Sequence, residues 1–228
     1  MLGYKKFLPI VLLLAMAGCS TQVVVQDATI PEPLIRKLPI SVGAKYPERF
    51  DRFVHEELVI GKDKWLIDLG RSNKILFDKL FASMFDSYQV IGAEENQADY
   101  GFDAFIEPSI DAFEFSVPEQ SQTDAFAVWI RYRIKIFDGS GTQIANWPIA
   151  AYGKSQTEGL GSDRALQRAA VLAMRDAAAL IILQMDKATG ISQLARTAAT
   201  EPMPPTTADP ADIPLQTTAA EENPDDQG

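Results

Sequence analysis

The residues able to do chemistry in this chain of 228 amino acids are few: one cysteine, Cys19, and one histidine, His55. Nucleophilic catalysis and zinc binding both draw on histidine. A single histidine in a strand-like setting offers neither a Ser-His-Asp relay nor a metal site built on several imidazoles. His55 stands in Val54-His55-Glu56-Glu57-Leu58, where its ordinary role is that of a satisfied strand residue. Glu56 and Glu57 are adjacent, so a strand sends them to opposite faces. Glu107, Asp111 and Glu114 lack the regular oxygen spacing and turn glycine of a calcium loop, and Asp138-Gly139-Ser140-Gly141 lacks the ligand count. Gly139 and Gly141 do not open a helix, so a phosphate loop is not supported. Gly159 and Gly161 do precede a helix capped by Ser162, a geometry that could hold an anion but that helix starts commonly share. The expectation is no enzyme, no catalytic residue, no metal and no dissociable cofactor.

One charged row has more promise. From Phe126 to Phe137, the set Phe126, Val128, Ile130, Tyr132, Ile134 and Ile136 alternates with Ala127, Trp129, Arg131, Arg133, Lys135 and Phe137. Strict period two over this length predicts a strand with one buried face. Three cations then line the other face beside Trp129. In the bland reading, their stems cover the sheet and their charges are solvated. In the functional one, the row is a contact surface for an acidic partner or a lipid headgroup, since Trp and Arg concentrate at binding hot spots. Trp147, on the returning strand, is expected to share that face. The candidate interaction surface is Trp129, Arg131, Arg133, Lys135 and Trp147.

Cys19 has a different context. Lys5 and Lys6 precede an apolar run from Phe7 to Ala17, and Met16-Ala17-Gly18 leads into the cysteine. Positive end, apolar centre and small residues at the cut are the order of a secretory signal. The run is about 11 residues where a spanning helix needs roughly 20. Ala17-Gly18-Cys19 resembles the lipobox of bacterial lipoproteins, with Met16 where leucine is commonest. The resemblance implies cleavage after residue 18. It also implies a covalent diacylglycerol and an N-acyl chain of the palmitate type on Cys19. That accounts for an otherwise odd thiol in an exported protein and gives a stable anchor, because two lipid signals hold where one is marginal. Ser20, rather than aspartate, follows the cysteine. By the same resemblance, this places the protein at the outer membrane, facing the periplasm.

Composition divides the remainder. Residues 19–34 read as a lipidated, Pro-containing tether. Residues 197–228 hold seven acidic residues, no basic ones and six of the 14 prolines; such a segment does not offset chain entropy and reads as disordered. Residues 35–190 make one domain. Without Lys5 and Lys6 the net charge is −12. No basic stripe suits a phosphate backbone, so nucleic acid is excluded as a partner, and adhesion to anionic headgroups by charge is disfavoured.

The elements that must position the row follow from periodicity. Strands are expected at Lys37 to Val42, Arg52 to Val59, Tyr88 to Ile91, Phe102 to Val117 with a break near Pro108, Phe126 to Phe137, and Gln143 to Tyr152. Helices are expected from about Leu69 to Ser87 and from Ser162 to about Lys187, each with an apolar stripe at helical spacing. The fold class is α+β: an antiparallel sheet of about five to six strands with two helices packed on one face. With a lipobox, a tryptophan entering an aromatic-rich helix (Trp65 to Phe85), long paired strands (Phe126 to Trp147) and an Ala-rich last helix (Ala165 to Leu183), the chain resembles small envelope lipoproteins that share the fold of the TolB amino-terminal domain. These include auxiliary lipoproteins of ABC-type transport and ring-forming lipoproteins of polysaccharide export. The resemblance implies a non-enzymatic accessory or assembly subunit of an envelope transport or export machine. Its partners would be the membrane through the lipid anchor, an envelope protein, and further copies of itself. The alternative is a lipid-binding auxiliary lipoprotein of an ABC-type system, which needs an open apolar pocket between helices and sheet.

Overall fold

A computed structural model of the protein describes residues 20–25, 33–59, 63–92, 94–95, 97–157, 159, 161–185 and 189–200. The expected signal segment, the expected lipidation site Cys19 and the tail beyond Thr200 lie outside the described residues. The elements are β1 (Ser20–Val24), β2 (Leu38–Lys45), α1 (Glu48–Asp51), β3 (Val54–Val59), β4 (Asp63–Asp68), α2 (Gly70–Met84), β5 (Phe85–Ile91), β6 (Ala104–Ser116), α3 (Pro118–Ser121), β7 (Ala125–Asp138), β8 (Gln143–Gln156), α4 (Ser162–Met185) and α5 (Thr189–Thr200).

The α+β class holds, and the strand pairing is mostly antiparallel. The single expected sheet is instead two: a five-stranded sheet in the order β5-β2-β6-β7-β8 and a three-stranded sheet in the order β1-β4-β3. β6, β7 and β8 form a long antiparallel meander. β2 runs parallel to both β5 and β6. Trp65-Leu66-Ile67, expected as an apolar lead-in to a helix, is the centre of β4.

Both long helices lie on one face of the five-stranded sheet, as the apolar stripes demand. α2 buries Leu76, Phe77, Leu80, Phe81 and Met84. Phe77 meets Tyr132 of β7 with ring centroids 5.2 Å apart. α4 lays Ala165, Ala169, Ala170, Ala173 and Ala177 against the sheet. The three-stranded sheet packs its inner side on that same face: Trp65 meets Phe115 and Phe126 at 5.8 and 6.0 Å.

Three expectations are corrected. Ser20 is not in a loose tether. β1 pairs in parallel with β4, Ser20 opposite Lys64 and Val24 opposite Asp68. Gln167 of α4 donates to the Val24 carbonyl at 3.1 Å, and Ser72 of α2 donates to that of Val25. The run Val23-Val24-Val25 is β-branched and half-buriable, which the polar average of residues 20–33 conceals. Second, the chain does not leave the fold at Gly190: α5 continues to Thr200, with Ile191 fully buried and Leu194, Ala195 and Ala198 packed beside it. These four recur at helical spacing. Third, the break in β6 falls between Ile110 and Ala112 rather than at Pro108.

Candidate interaction surface

The outward side of β6, β7 and β8 is built by the pleat. On β7, burial alternates so that Phe126, Val128, Ile130, Tyr132, Ile134 and Ile136 face the helices. Trp129, Arg131, Arg133 and Lys135 therefore face out together, as expected. Cross-strand partners share a face, so the register adds Glu114 and Tyr152 beside Trp129, Ala112 and Ala150 beside Arg131, and Asn146 beside Lys135. Trp129 and Tyr152 are each 44% exposed and lie against one another, centroids 5.2 Å apart.

The three cations have different surroundings. Arg133 is held by Asp111 at 2.5 and 2.8 Å and by the Asn146 side-chain oxygen at 3.0 Å. The hydrogen bond and charge of Asp111 raise its pKa further above the usual guanidinium range. Lys135 is 3.3 Å from Glu107. Both pairs stay on the sheet and satisfy themselves. Arg131 makes no hydrogen bond or ion pair among the described residues, and neither does Glu114. Between them lies a cleft of about 240 Å³ walled by Trp129, Arg131 and Glu114 over Ala112 and Ala150. The cleft exists because two alanines floor it. Missed in the sequence was Tyr152: the hairpin register set by Phe137 and Gln143 alone would put Ala151 opposite Trp129, and only the bulge described below brings Tyr152 there.

Trp147 is not part of this surface. Phe137 pairs with Gln143, but Ile136 pairs with Ala145. The extra residue, Ile144, is a bulge, and one added residue moves every later side chain to the other face. Without it Trp147 would stand opposite Arg133. With it, Trp147 stands opposite Ile134 and packs half-buried on the core. The hairpin before the bulge is the expected one. Asp138 accepts from the Ser140 and Thr142 amides at 2.9 Å each, and Gly141 takes φ +85°. The hydrogen bonds from Ser140 and Thr142 lower the Asp138 pKa.

His55 Nε2 lies 3.0 Å from Glu57, and its ring packs 5.0 Å from that of Phe113. A cluster that the sequence does not announce joins the residue after β2 to α2 and β5: Tyr46 and Tyr88 donate to Asp78 at 2.8 and 2.6 Å, their hydroxyls are 3.0 Å apart, and Lys74 closes on Asp78 at 2.6 Å. Only Lys74 and Asp78, one helical turn apart, are visible as a pair beforehand.

Burial foremost, then the charges and hydrogen bonds around Asp78, pushes the Tyr46 and Tyr88 phenols far above their usual range, and burial alone does the same to Tyr132. The folded protein keeps these protons where an unfolded chain, with tyrosines near about 10, gives them up. Stability is then complete below about pH 10 and falls as pH rises beyond it. Urea midpoints measured from about pH 8 to about pH 11 should drop steeply over the last unit. The double variant Tyr46→Phe/Tyr88→Phe should show a shallower decline; an identical slope would mean these phenols do not carry the effect.

The chain matches no protein-family model, and no curated protein matches it in sequence. Among solved structures, it is similar to a Helicobacter pylori protein provisionally assigned as a homolog of neuraminyllactose-binding hemagglutinin. That pair is 11% identical over 77% of this chain and 100% of the other, with TM-score 0.42. Two further matches are to bacterial lipoproteins. One, from Caulobacter crescentus CB15 and provisionally so assigned, is 11% identical over 56% of this chain and 81% of that chain, TM-score 0.33. The other, lipoprotein GNA1162 of Neisseria meningitidis, is 10% identical over 74% and 99%, TM-score 0.28.

Proposed function

We propose that this chain is a non-enzymatic lipoprotein of the cell envelope, anchored through acylated Cys19 at the outer membrane, and that it works by protein contact as an accessory or assembly subunit of a transport or export machine. The observation that carries the contact role is the uneven treatment of one row of cations. Arg133 and Lys135 are neutralised within the sheet, whereas Arg131 and Glu114, unpaired among the described residues, stand on either side of a cleft lined by the exposed Trp129, which Tyr152 packs against. An unpaired charge of each sign, an aromatic anchor and a small-residue floor suit a protein surface with complementary charges, whether an envelope partner or another copy. The alternative, a lipid carrier, needs an opening between the helices and the sheet. Phe77, Leu80, Phe81, Tyr132 and Met174 occupy that space and are completely buried.

The test is the mass of the native assembly, extracted in mild detergent after crosslinking in the cell. Trp129→Glu and Arg131→Glu should each weaken association by about tenfold, the loss of roughly 1.4 kcal/mol. The variants should keep normal thermal melting, since both side chains face out. An assembly of unchanged mass and yield in both would remove this surface from consideration. A monomer in the unmodified protein would oppose the accessory reading itself.

A further inference from the structure

Among the described residues, no element covers the outward side of the three-stranded sheet. The register places Ser20, Gln22 and Val24 of β1, Lys64, Leu66 and Asp68 of β4, and Val54, Glu56 and Leu58 of β3 on that side. Eight large hydrophobic side chains are exposed among the described residues, and three of them, Val24, Val54 and Leu58, are here, at 43, 51 and 69%. Leu66, half-buried, lies between them. The charged groups of this side are already partnered. Lys64 meets Glu56 at 2.6 Å, and Asp68 accepts from the Gly70 amide at 3.0 Å. This face presents aliphatic groups and internally neutralised charge, not a basic patch.

The start of β1 bears on what lies against it. Ser20 is the corner residue of this face, and Cys19 is its covalent neighbour, about 3.8 Å away from Cα to Cα. β1 is fastened to the domain by its ladder with β4, by Gln167 and by Ser72. No slack separates the acylated residue from the fold.

We propose that the outward face of the three-stranded sheet, centred on Val24, Val54, Leu58 and Leu66, rests on the lipid bilayer that holds the acyl chains of Cys19. This rests on the lipid-anchor reading above. The acyl chains enter the membrane beside Ser20, so the bilayer surface begins at this corner. The aliphatic side chains then reach the headgroup and upper acyl region, where burial of apolar area stabilises peripheral binding without basic charge. The two sheets pack through their inner sides, so this pose turns Trp129, Arg131 and Tyr152 toward the aqueous side.

With Cys19 acylated, a cysteine introduced elsewhere is the only free thiol in the chain. Full-length acylated protein carrying Leu58→Cys, Val54→Cys or, as reference, Tyr152→Cys would be spin-labelled and placed in vesicles of neutral phosphatidylcholine. Collision with oxygen, which enters the bilayer, is compared with collision with a water-soluble nickel complex. The proposal expects the oxygen-to-nickel ratio at positions 54 and 58 to be several-fold higher than at position 152. Equal ratios at all three, with the protein acylated by mass and floating with the vesicles, would overturn this orientation and leave the anchor intact. Shielding of position 58 from both reagents would overturn it in favour of a protein covering that face. A protein without acyl mass that fails to float would overturn the anchor and the orientation together.

Discussion

Gly153→Val is expected to destabilise the protein by about 3 kcal/mol or more, the upper range for overpacking a core. Gly153 lies on the inner side of β8, where α4 crosses it. A methyl carbon built there would stand 2.1 Å from the Ala169 carbonyl oxygen and 2.4 Å from the Ala173 amide nitrogen. Both are backbone atoms of one helix, so no side chain can swing aside. The helix itself must withdraw, and with it the packing of Ala165, Ala169, Ala170 and Ala173. Alanine at 153 meets the same atoms and should cost about 1–3 kcal/mol. Lys154→Val, one residue on and facing solvent, should stay within about 0.5 kcal/mol of the parent. Urea unfolding of the three variants decides the matter; a Gly153→Val protein as stable as the Lys154 variant would show that α4 does not seat on β8 as described.

The second large effect concerns a polar contact in the core. Tyr132 donates to the Asn73 side-chain oxygen at 2.7 Å, and both residues are completely inaccessible. The Asn73 amide nitrogen has no partner among the described residues. Tyr132→Phe leaves the Asn73 side chain with nothing to bond. Asn73→Leu leaves the Tyr132 hydroxyl in the same position. Each should cost about 1–3 kcal/mol, the penalty for a buried polar group deprived of its partner. Removing both groups together avoids that penalty, so Tyr132→Phe/Asn73→Leu is expected to be clearly more stable than the sum of the single variants. Strict additivity in a double-mutant cycle would mean that the two groups do not interact.

Much of this architecture was readable from periodicity. The alternation from Phe126 to Phe137 placed Trp129, Arg131, Arg133 and Lys135 on one face. The alanines of α4 predicted a close helix–sheet contact, which Gly153 completes. What periodicity could not supply was pairing at long range. The parallel alignment of β2 with β5 and β6, and the separate sheet made by β1, β4 and β3, depend on partners distant in sequence. Bulges were equally hidden. One extra residue at Ile144 decides which way Trp147 points, and a pattern read along the strand does not register it. The Tyr46–Asp78–Tyr88 cluster draws on three segments of the chain, so its members show no common spacing. The pairing states of Arg131, Arg133 and Lys135 likewise depend on Asp111 and Glu107 of the neighbouring strand, and are invisible along β7.

β1 also sets how far the protein can search. A free tether of fourteen residues, 20–33, would let a domain wander about 20 Å from its anchor. With Ser20 already paired in β1, that leash has no length. If the chain is anchored at Cys19 as proposed above, the domain is confined to a layer at fixed height and diffuses in two dimensions. Confinement of this kind raises the effective concentration of copies for one another and for any partner sharing the leaflet. It also means that a partner rooted in the opposite membrane must itself span the gap.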